Sequence, residues 1–325
     1  MQAVIIAGGQ GTRLSPLTLA TPKPMLPLLN QPFLAWMVER CRQAGVTDIL
    51  INVHYQAHQI ETFFGDGQAF GVKIRYVREE TPLDTAGAMK LASPMFSGEP
   101  LVVFNADILT DLDLQLLFQV HRETQAQATL ALARVENPLA FGLVELAPLS
   151  ESEQGNLAPR QVLAFREKPS PEEITRLQID TINAGTYVLE PEIFDQYTSG
   201  QPLSFERMVF PNVLTQDQRM SALVWEGYWQ DLGTPAKYYQ AHLDILTGQM
   251  PFEIAKVAQE QAPQVWVSPT AKVDPAAKLI GPCFIGDQVK LGANAVIPAG
   301  TVLGSHCWID REISPGLYSP STLAI

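Results

Sequence analysis

The sequence predicts an α/β domain on a mainly parallel sheet, followed by a short left-handed parallel β-helix. Three observations lead there. The first half alternates short apolar runs with amphipathic stretches, the pattern of βαβ units. The first apolar run opens directly into a glycine-rich loop, Gly8 to Gly11. Beyond residue 266 the hydrophobic period becomes six.

Taken in order, Ala3 to Ala7 reads as a buried strand. Phe33 to Ala44 has helical spacing and stops at Gly45, a residue suited to a helix C-terminus. Strands are expected at Asp48 to Val53, Lys73 to Val77 and Leu101 to Phe104, the last running into Asn105-Ala106-Asp107. Thr129 to Val135, Gly142 to Leu146, Val162 to Glu167 and Thr186 to Leu189 extend the sheet. Asp111 and Asp113 are placed to open the helix that follows them, as cap and dipole residues. A helix around Ala236 to Leu246 ends at Gly248.

Val267, Val273, Leu279, Ile285, Leu291, Ile297, Leu303 and Ile309 then fall six apart without a gap. Small or β-branched residues follow each of them four positions later, from Ala271 to Ile313. Period six is neither helix nor hairpin. It fits a triangular coil in which each hexad is one short face, with the aliphatic column inside and Gly286, Gly292 and Gly304 easing the corners. The expected division is 1–248 for the α/β domain, 249–265 for a linker and 266–325 for the β-helix.

Composition narrows the partners. Hydrophobic residues are 46% and charged residues 17% of the 325, enough for a real core. The net charge of −12 argues against a nucleic-acid surface, which usually shows as a basic excess. Cys41, Cys283 and Cys307 have no metal-ligand spacing, and their odd count argues against a disulfide framework. No apolar run approaches the roughly 18 residues of a membrane helix. The start lacks a charged region and long apolar core, so a cytoplasmic setting without membrane contact is expected.

The chemistry concentrates in Gly8-Gly9-Gln10-Gly11-Thr12-Arg13-Leu14-Ser15-Pro16-Leu17-Thr18 and Thr21-Pro22-Lys23-Pro24. A strand feeding a glycine-rich loop can bring backbone N–H groups close to an anionic phosphate. Arg13 adds a planar fork of donors and Lys23 a point charge. Taken alone, such a cluster also fits a structural turn beside a surface arginine. It is not a Walker A loop, because no Gly-Lys-Ser/Thr follows, and Leu14 replaces the third glycine of a dinucleotide fingerprint.

The run from Gly8 to Pro24 resembles the signature of the sugar-nucleotide pyrophosphorylases. Further matches follow in order: Thr85-Ala86-Gly87, Asn105-Ala106-Asp107, Phe141-Gly142, Glu167-Lys168-Pro169, Asn183-Ala184-Gly185, and Trp229 through Thr234. A C-terminal hexapeptide domain occurs in several branches, so the resemblance spans nearly the whole chain. It implies a Rossmann-like nucleotidyltransferase domain whose partners are a nucleoside triphosphate and a sugar 1-phosphate. Gly8, Gly9, Gly11 and Thr12 would line the nucleotide, with Thr85 and Gly87 facing base or ribose. Arg13 would meet the leaving pyrophosphate, and Lys23 the phosphate under attack. Asp107 and Asp231 resemble the metal-binding pair, and two carboxylates plus substrate phosphates suit Mg²⁺. Gly142, Glu167, Lys168 and Asn183 would serve the sugar phosphate.

The implied reaction is in-line attack of a sugar-phosphate oxygen on the α-phosphorus, with pyrophosphate leaving. The attacking phosphate is already ionised, so no general base is needed. His54, His58, His121, His242 and His306 are expected at the surface or at helix ends. Among branches, the look is of mannose-1-phosphate guanylyltransferases, supported by Val72 through Tyr76, Asp111 through Leu114, Phe205-Glu206-Arg207 and Gly227-Tyr228-Trp229. Uridylyl-, thymidylyl- and adenylyltransferases of glucose 1-phosphate share the core.

Two departures stand out: Asp84 where the family often has glycine, and Ala106 where it often has glycine. Asp84 is the feature that favours a catalytically weak, regulatory homologue, whereas intact Arg13, Lys23, Asp107, Lys168 and Asp231 favour an enzyme. A β-helix acyltransferase is a further reading, with His306 as its lone base. Flat parallel faces point rather to a homo-oligomer.

Overall fold

The computed structural model describes residues 1–135, 141–148, 158–166, 179–216 and 219–319. They form two compact units, each drawn from separated stretches of chain.

The first unit comprises Met1–Gln10, Met37–Ile108 and Leu112–Trp229. Its centre is a nine-stranded sheet. The strands in chain order are β1 (Gln2–Ile6), β2 (Asp48–Val53), β3 (Lys73–Arg78) and β4 (Leu101–Asn105). A short strand outside this sheet, β5 (Ile108–Thr110), comes next. There follow β6 (Ala128–Arg134), β7 (Leu143–Leu146), β8 (Arg160–Arg166), β9 (Thr181–Leu189) and β10 (Met220–Trp225). Across the sheet the order is β3-β2-β1-β4-β9-β6-β10-β8-β7. The helices that accompany it are α1 (Phe33–Gln43), α2 (Ala57–Phe64), α3 (Asp84–Ala92), α4 (Leu114–Thr124) and α5 (Phe210–Thr215).

The expected strands and helices are present within a few residues of their expected bounds. Gly45 stands at φ +76 just past α1, the left-handed position that glycine takes at low cost. Asp113 caps α4, accepting from the amides of Gln115 and Leu116. The expectation of a mainly parallel sheet needs correction. Strands β3, β2, β1 and β4 run parallel, as do β6 and β10. However, β9 lies antiparallel between β4 and β6, and β8 and β7 add antiparallel neighbours. The sheet is therefore mixed. Parallel neighbours need long crossovers, and α1 to α3 lie between the strands of the first half.

Apolar runs such as Ala3-Val4-Ile5 are buried on both sides of the sheet. On one face Val4, Leu50, Leu101 and Val103 join Leu130 and Leu132 under a group of rings, Tyr187, Phe194, Phe205 and Phe210. Phe205 and Phe210 stack with centroids 5.0 Å apart.

The second unit comprises Gly11–Trp36, Leu109–Asp111 and Gln230–Ile325. Here β5 pairs with β11 (Trp229–Asp231), and α6 (Pro235–Leu246) follows, closing at Gly248 with φ +78. The segment 249–265 holds a short turn, Ile254–Lys256, and a strand, Gln259–Ala262, that pairs antiparallel with Val265–Val267.

Beyond it, many short parallel strands form three small sheets. Partners up to Ile309 stand 18 residues apart, which is three hexads: Val265 with Cys283 and Thr301, Lys272 with Lys290 and Trp308, Lys278 with Val296; the last strand pairs at 15, Thr301 with Gly316. The aliphatic column is internal, with Ile285, Ile297 and Leu303 fully buried. The expected corner glycines act through space rather than backbone angle. A Cβ on Gly286 would stand 2.5 Å from the Leu303 carbonyl oxygen, and one on Gly292 would stand 2.2 Å from Asp310. The left-handed turns fall instead on Gln288, Gly300 and His306, at φ +57, +78 and +66. One face of these strands is covered from outside as well, so Phe284 and Val302 are buried. There the Tyr239 hydroxyl on α6 donates to the Gly300 carbonyl, and Asn30 Oδ1 accepts the Asp287 amide at 3.2 Å.

Candidate active site

In the first unit, β1 and β4 are adjacent and parallel, and their carboxyl ends lead into Gly8-Gly9 and Ala106-Asp107. The strand order reverses between them, since β2 and β3 lie on one side of β1 and β4 on the other. Ligands in open α/β sheets gather at such a point. The Ala106 amide donates to the Ile6 carbonyl at 3.1 Å, which holds the two exits side by side.

The glycines of this loop answer different needs. A Cβ on Gly8 would come within 2.8 Å of Glu79 Oε1 and 3.3 Å of His54 Cβ, whereas Gly9 has open space around it. Glu79 was not singled out by sequence reasoning. It is 8% exposed, its Oε2 accepts the Leu83 amide at 3.0 Å, and burial raises its carboxyl above the ordinary value.

Thr85 and Gly87 lie in the first turns of α3, where four amides lack helical partners. The Leu203 carbonyl accepts both Ala86 and Gly87 amides at 2.9 Å, and Thr85 Oγ1 accepts the Phe205 amide at 3.3 Å. Asp84, the departure from the family pattern, has φ +62, the conformation glycine would take there. Aspartate tolerates it better than most residues. Its Oδ1 accepts the Thr85 amide at 2.8 Å, and its Oδ2 is paired with Arg207 at 2.6 Å. The added charge is therefore matched on the spot.

Around Asn183 the motif residues are explained by a bulge. The register of β9 against β6 shifts between Asn183 and Tyr187, and Gly185 takes φ +73 with Asn105 against it. Asn183 Nδ2 donates to the Tyr187 hydroxyl at 2.7 Å and to Glu206 Oε1 at 3.0 Å, and its backbone amide donates to the Gly142 carbonyl at 3.1 Å. Gly142 and Asn183 are thus brought together. Trp229 closes the group, donating to the Ala184 carbonyl at 3.0 Å with its ring edge-on to Phe141. Burial, reinforced by Glu206 and by Asp107, holds the Tyr187 phenol well above its ordinary value. Glu206 is a second residue whose place sequence reasoning missed. Glu167 and Lys168 lie outside the described residues.

In the second unit, Gly11 has φ +64 and opens the turn Thr12–Leu14, with Leu14 buried beneath it. A Cβ on Gly11 would meet Lys23 Cβ at 2.9 Å and Thr18 Cγ2 at 3.0 Å. The fixed glycine, threonine and lysine of the motif therefore pack on one another. Arg13 reaches Gly233: its Nη2 would stand 3.2 Å from a Cβ placed there, and Asp231 Oδ1 2.5 Å. Asp231 is buried, accepts the Gly233 amide at 3.1 Å, and forms an ion pair with Lys237. Lys237 is the third residue that sequence reasoning passed over. So Arg13 gathers with Asp231, and Gly11 with Lys23.

The remaining candidates are quiet. His121 stands in the last turn of α4, as expected of a helix-end histidine, but it and His242 are both buried, and burial holds both below the ordinary imidazole value, His121 at about 4. His306 serves a backbone turn. Burial pushes the Cys41 thiol up to about 12 and Cys283 up to about 11, so neither is a ready nucleophile. Among the described residues no group of three or more His, Cys, Asp or Glu could hold a metal ion, and no helix is long and apolar enough to cross a membrane.

Residues 2–248 match the nucleotidyl transferase family. The chain is 36% identical over 317 residues to a mannose-1-phosphate guanylyltransferase of Mycobacterium tuberculosis, covering 96% of this chain and 83% of the relative. It is 32% identical to a UTP–glucose-1-phosphate uridylyltransferase of Synechocystis, covering 95% of this chain and 80% of the relative. Several further relatives, at 30–33% identity, carry the guanylyltransferase name. A putative glucose-1-phosphate thymidylyltransferase structure from Bacillus anthracis shares the fold, with TM-score 0.64 at 23% identity over 75% of this chain and 94% of that one. The chain belongs to the nucleotidyl transferase family. Within it, the protein is an enzyme of the sugar-nucleotide pyrophosphorylase group, as its motifs imply.

Proposed function

We propose that the protein joins GTP to mannose 1-phosphate, releasing pyrophosphate and giving GDP-mannose. The observation that carries the choice of base is Glu79. Its carboxyl lies against Gly8, where a phosphate would be repelled and a donor-rich group favoured. Guanine presents two adjacent donors, N1–H and the 2-amino group, to such an acceptor, whereas uracil and adenine present one donor beside an acceptor. The names of the relatives favour mannose in the same sense. The competing pair is glucose 1-phosphate with UTP, dTTP or ATP, which the Synechocystis relative favours.

The roles follow the motif residues. Gly8, Gly9 and Gly11, with Thr12, line the nucleotide: Gly8 lies on the base side with Thr85 and Gly87, and the others face the triphosphate. Arg13 neutralises the departing pyrophosphate, and Lys23 the phosphate under attack. Gly142, Asn183, Glu167 and Lys168 serve the sugar phosphate. Asp107 and Asp231 would hold Mg²⁺. Their hard oxygens suit it, and Asp231 Oδ2 already carries a cation, the Lys237 ammonium. The ion's contribution, when bound, is to draw charge from the phosphates. A left-handed β-helix, and a homo-oligomer built on it, are the reading of the hexads.

The test is a matrix of GTP, ITP, UTP, dTTP and ATP against mannose and glucose 1-phosphates, read as pyrophosphate release with Mg²⁺. GTP with mannose 1-phosphate should turn over fastest, and ITP, lacking the 2-amino group, should trail it. Asp107→Asn and Asp231→Asn should nearly abolish turnover with the fold intact. Preference for UTP and glucose 1-phosphate would refute the substrate pair. Full activity in either aspartate variant would remove that residue from the metal site.

A further inference from the structure

Asp231 is 8% exposed, so its charge has little water to stabilise it. Its two oxygens are held in different ways. Oδ1 accepts the Gly233 amide at 3.1 Å, and the fit is close enough that a Cβ on Gly233 would stand 2.5 Å from that oxygen. That contact belongs to the backbone and cannot move alone. Oδ2 takes the Lys237 ammonium.

Lys237 stands in the first turn of α6, where its amide is anchored by Thr234 Oγ1 at 3.3 Å. Its side chain is 38% exposed, against 11% for Asp231. The long stem can therefore swing outward while the helix stays capped. Arg13 is the other cation beside Gly233. Two cations therefore stand beside this buried carboxylate.

We infer that Lys237 is the resident counter-ion of the metal carboxylate, a displaceable cation that holds Asp231 and gives up Oδ2 to the incoming metal. This rests on the assignment of Asp231 to the metal made above. A small divalent ion binds a carboxylate oxygen at about 2.0–2.1 Å, too close to share one oxygen face with an ammonium. Oδ1 is committed to the backbone, so Oδ2 is the oxygen available, and Lys237 must leave it. Without nucleotide the displaced ammonium has only water to turn to, so its pairing with Oδ2 competes with the ion. With a triphosphate present, phosphate oxygens offer the ammonium a new charged partner. Metal entry is thereby tied to nucleotide entry, and Lys237 acts as a positioning residue.

The experiment titrates Mn²⁺ into the full-length protein and reads free ion by electron paramagnetic resonance, with and without a non-hydrolysable GTP analogue. Lys237→Met should bind Mn²⁺ roughly fivefold more tightly than wild type without nucleotide, the upper end for a pair whose cation is this exposed. That advantage should vanish in the Asp231→Asn background and shrink when the analogue is present. Unchanged or weaker binding in Lys237→Met, with Asp231→Asn still impaired, would overturn the counter-ion role and leave the metal assignment standing. Equal Mn²⁺ binding by wild type and Asp231→Asn, with the analogue present, would remove both.

Discussion

Replacing Gly87 by alanine gives two physical effects of opposite sign, and the structure says which prevails. Gly87 sits inside α3, and alanine is the better helix former by about 1 kcal/mol. On propensity alone the variant should be more stable. However, the new Cβ would stand 2.7 Å from the Gln201 carbonyl oxygen, 3.0 Å from Leu83 Cβ and 3.1 Å from the Leu203 amide nitrogen. Two of these neighbours are backbone, so relief requires the segment around Leu203 to move away. That segment is held by the Ala86 and Gly87 amides at 2.9 Å and by the Leu203 amide donating to the Leu83 carbonyl at 2.9 Å. Crowding of this kind costs roughly 1–3 kcal/mol, and each weakened hydrogen bond about 1 kcal/mol. After the propensity gain, Gly87→Ala should lose roughly 2–4 kcal/mol. In a unit of this size that lowers Tm by on the order of 10 °C. Urea denaturation and thermal melting followed by circular dichroism would measure it. A variant as stable as wild type, or more so, would refute the claim that Gly87 is required for close packing.

Other substitutions separate fold from function. Gly9→Ala, with open space around it, should leave unfolding within about 0.5 kcal/mol of wild type while raising KM for the triphosphate; a normal KM would mean no ligand approaches that backbone. Asp84→Ala loses Arg207 and keeps a left-handed φ, so it should cost roughly 1–2 kcal/mol in urea, whereas Asp84→Gly should cost less than about 0.5 kcal/mol. Equal losses in the two would show that the backbone angle does not matter. Burial raises the Glu79 carboxyl in the folded protein, so its contribution is full below the ordinary carboxylate range and declines as pH rises through the raised value. Glu79→Gln removes that decline, and its stability relative to wild type should climb as pH rises above the ordinary carboxylate range. A climb in the opposite direction would reverse the assigned cause.

Much of the fold was legible because local signals decide local structure. The strand Asp48–Val53 is a buried apolar run bounded by polar residues, and it appears over that span. The hexads were legible because an aliphatic residue must face inward at every face. Strand partnership was harder. Nothing within Thr181–Leu189 tells that it lies antiparallel between β4 and β6, because that depends on distant segments. The site divides in the same way. The glycine loop and Asp231 stand in recognisable runs, while Glu79 and Lys237 look like ordinary surface residues and Glu206 stood in a run that marked the branch without a role. Glu79 gains meaning from Gly8, and Glu206 from Asn183, through contacts between residues remote in sequence. Lys237 had one available signal, a cation in the first turn of a helix that begins just beyond the aspartate.

The 18-residue register of the C-terminal strands makes length there a stepped quantity. Removing or duplicating 18 residues returns each side chain to its own face, with the aliphatic column still inward and the outer ladder of Trp266, Phe284 and Val302 still aligned. Six residues also keep the column inward, but they turn the outer pattern by one face, moving lysines to where Phe284 lies buried. A number that is not a multiple of six turns the column itself out of line. Between Val265 and Ile309 the region can thus lengthen or shorten over evolutionary time only in whole hexads, and only steps of 18 leave its covered face in place.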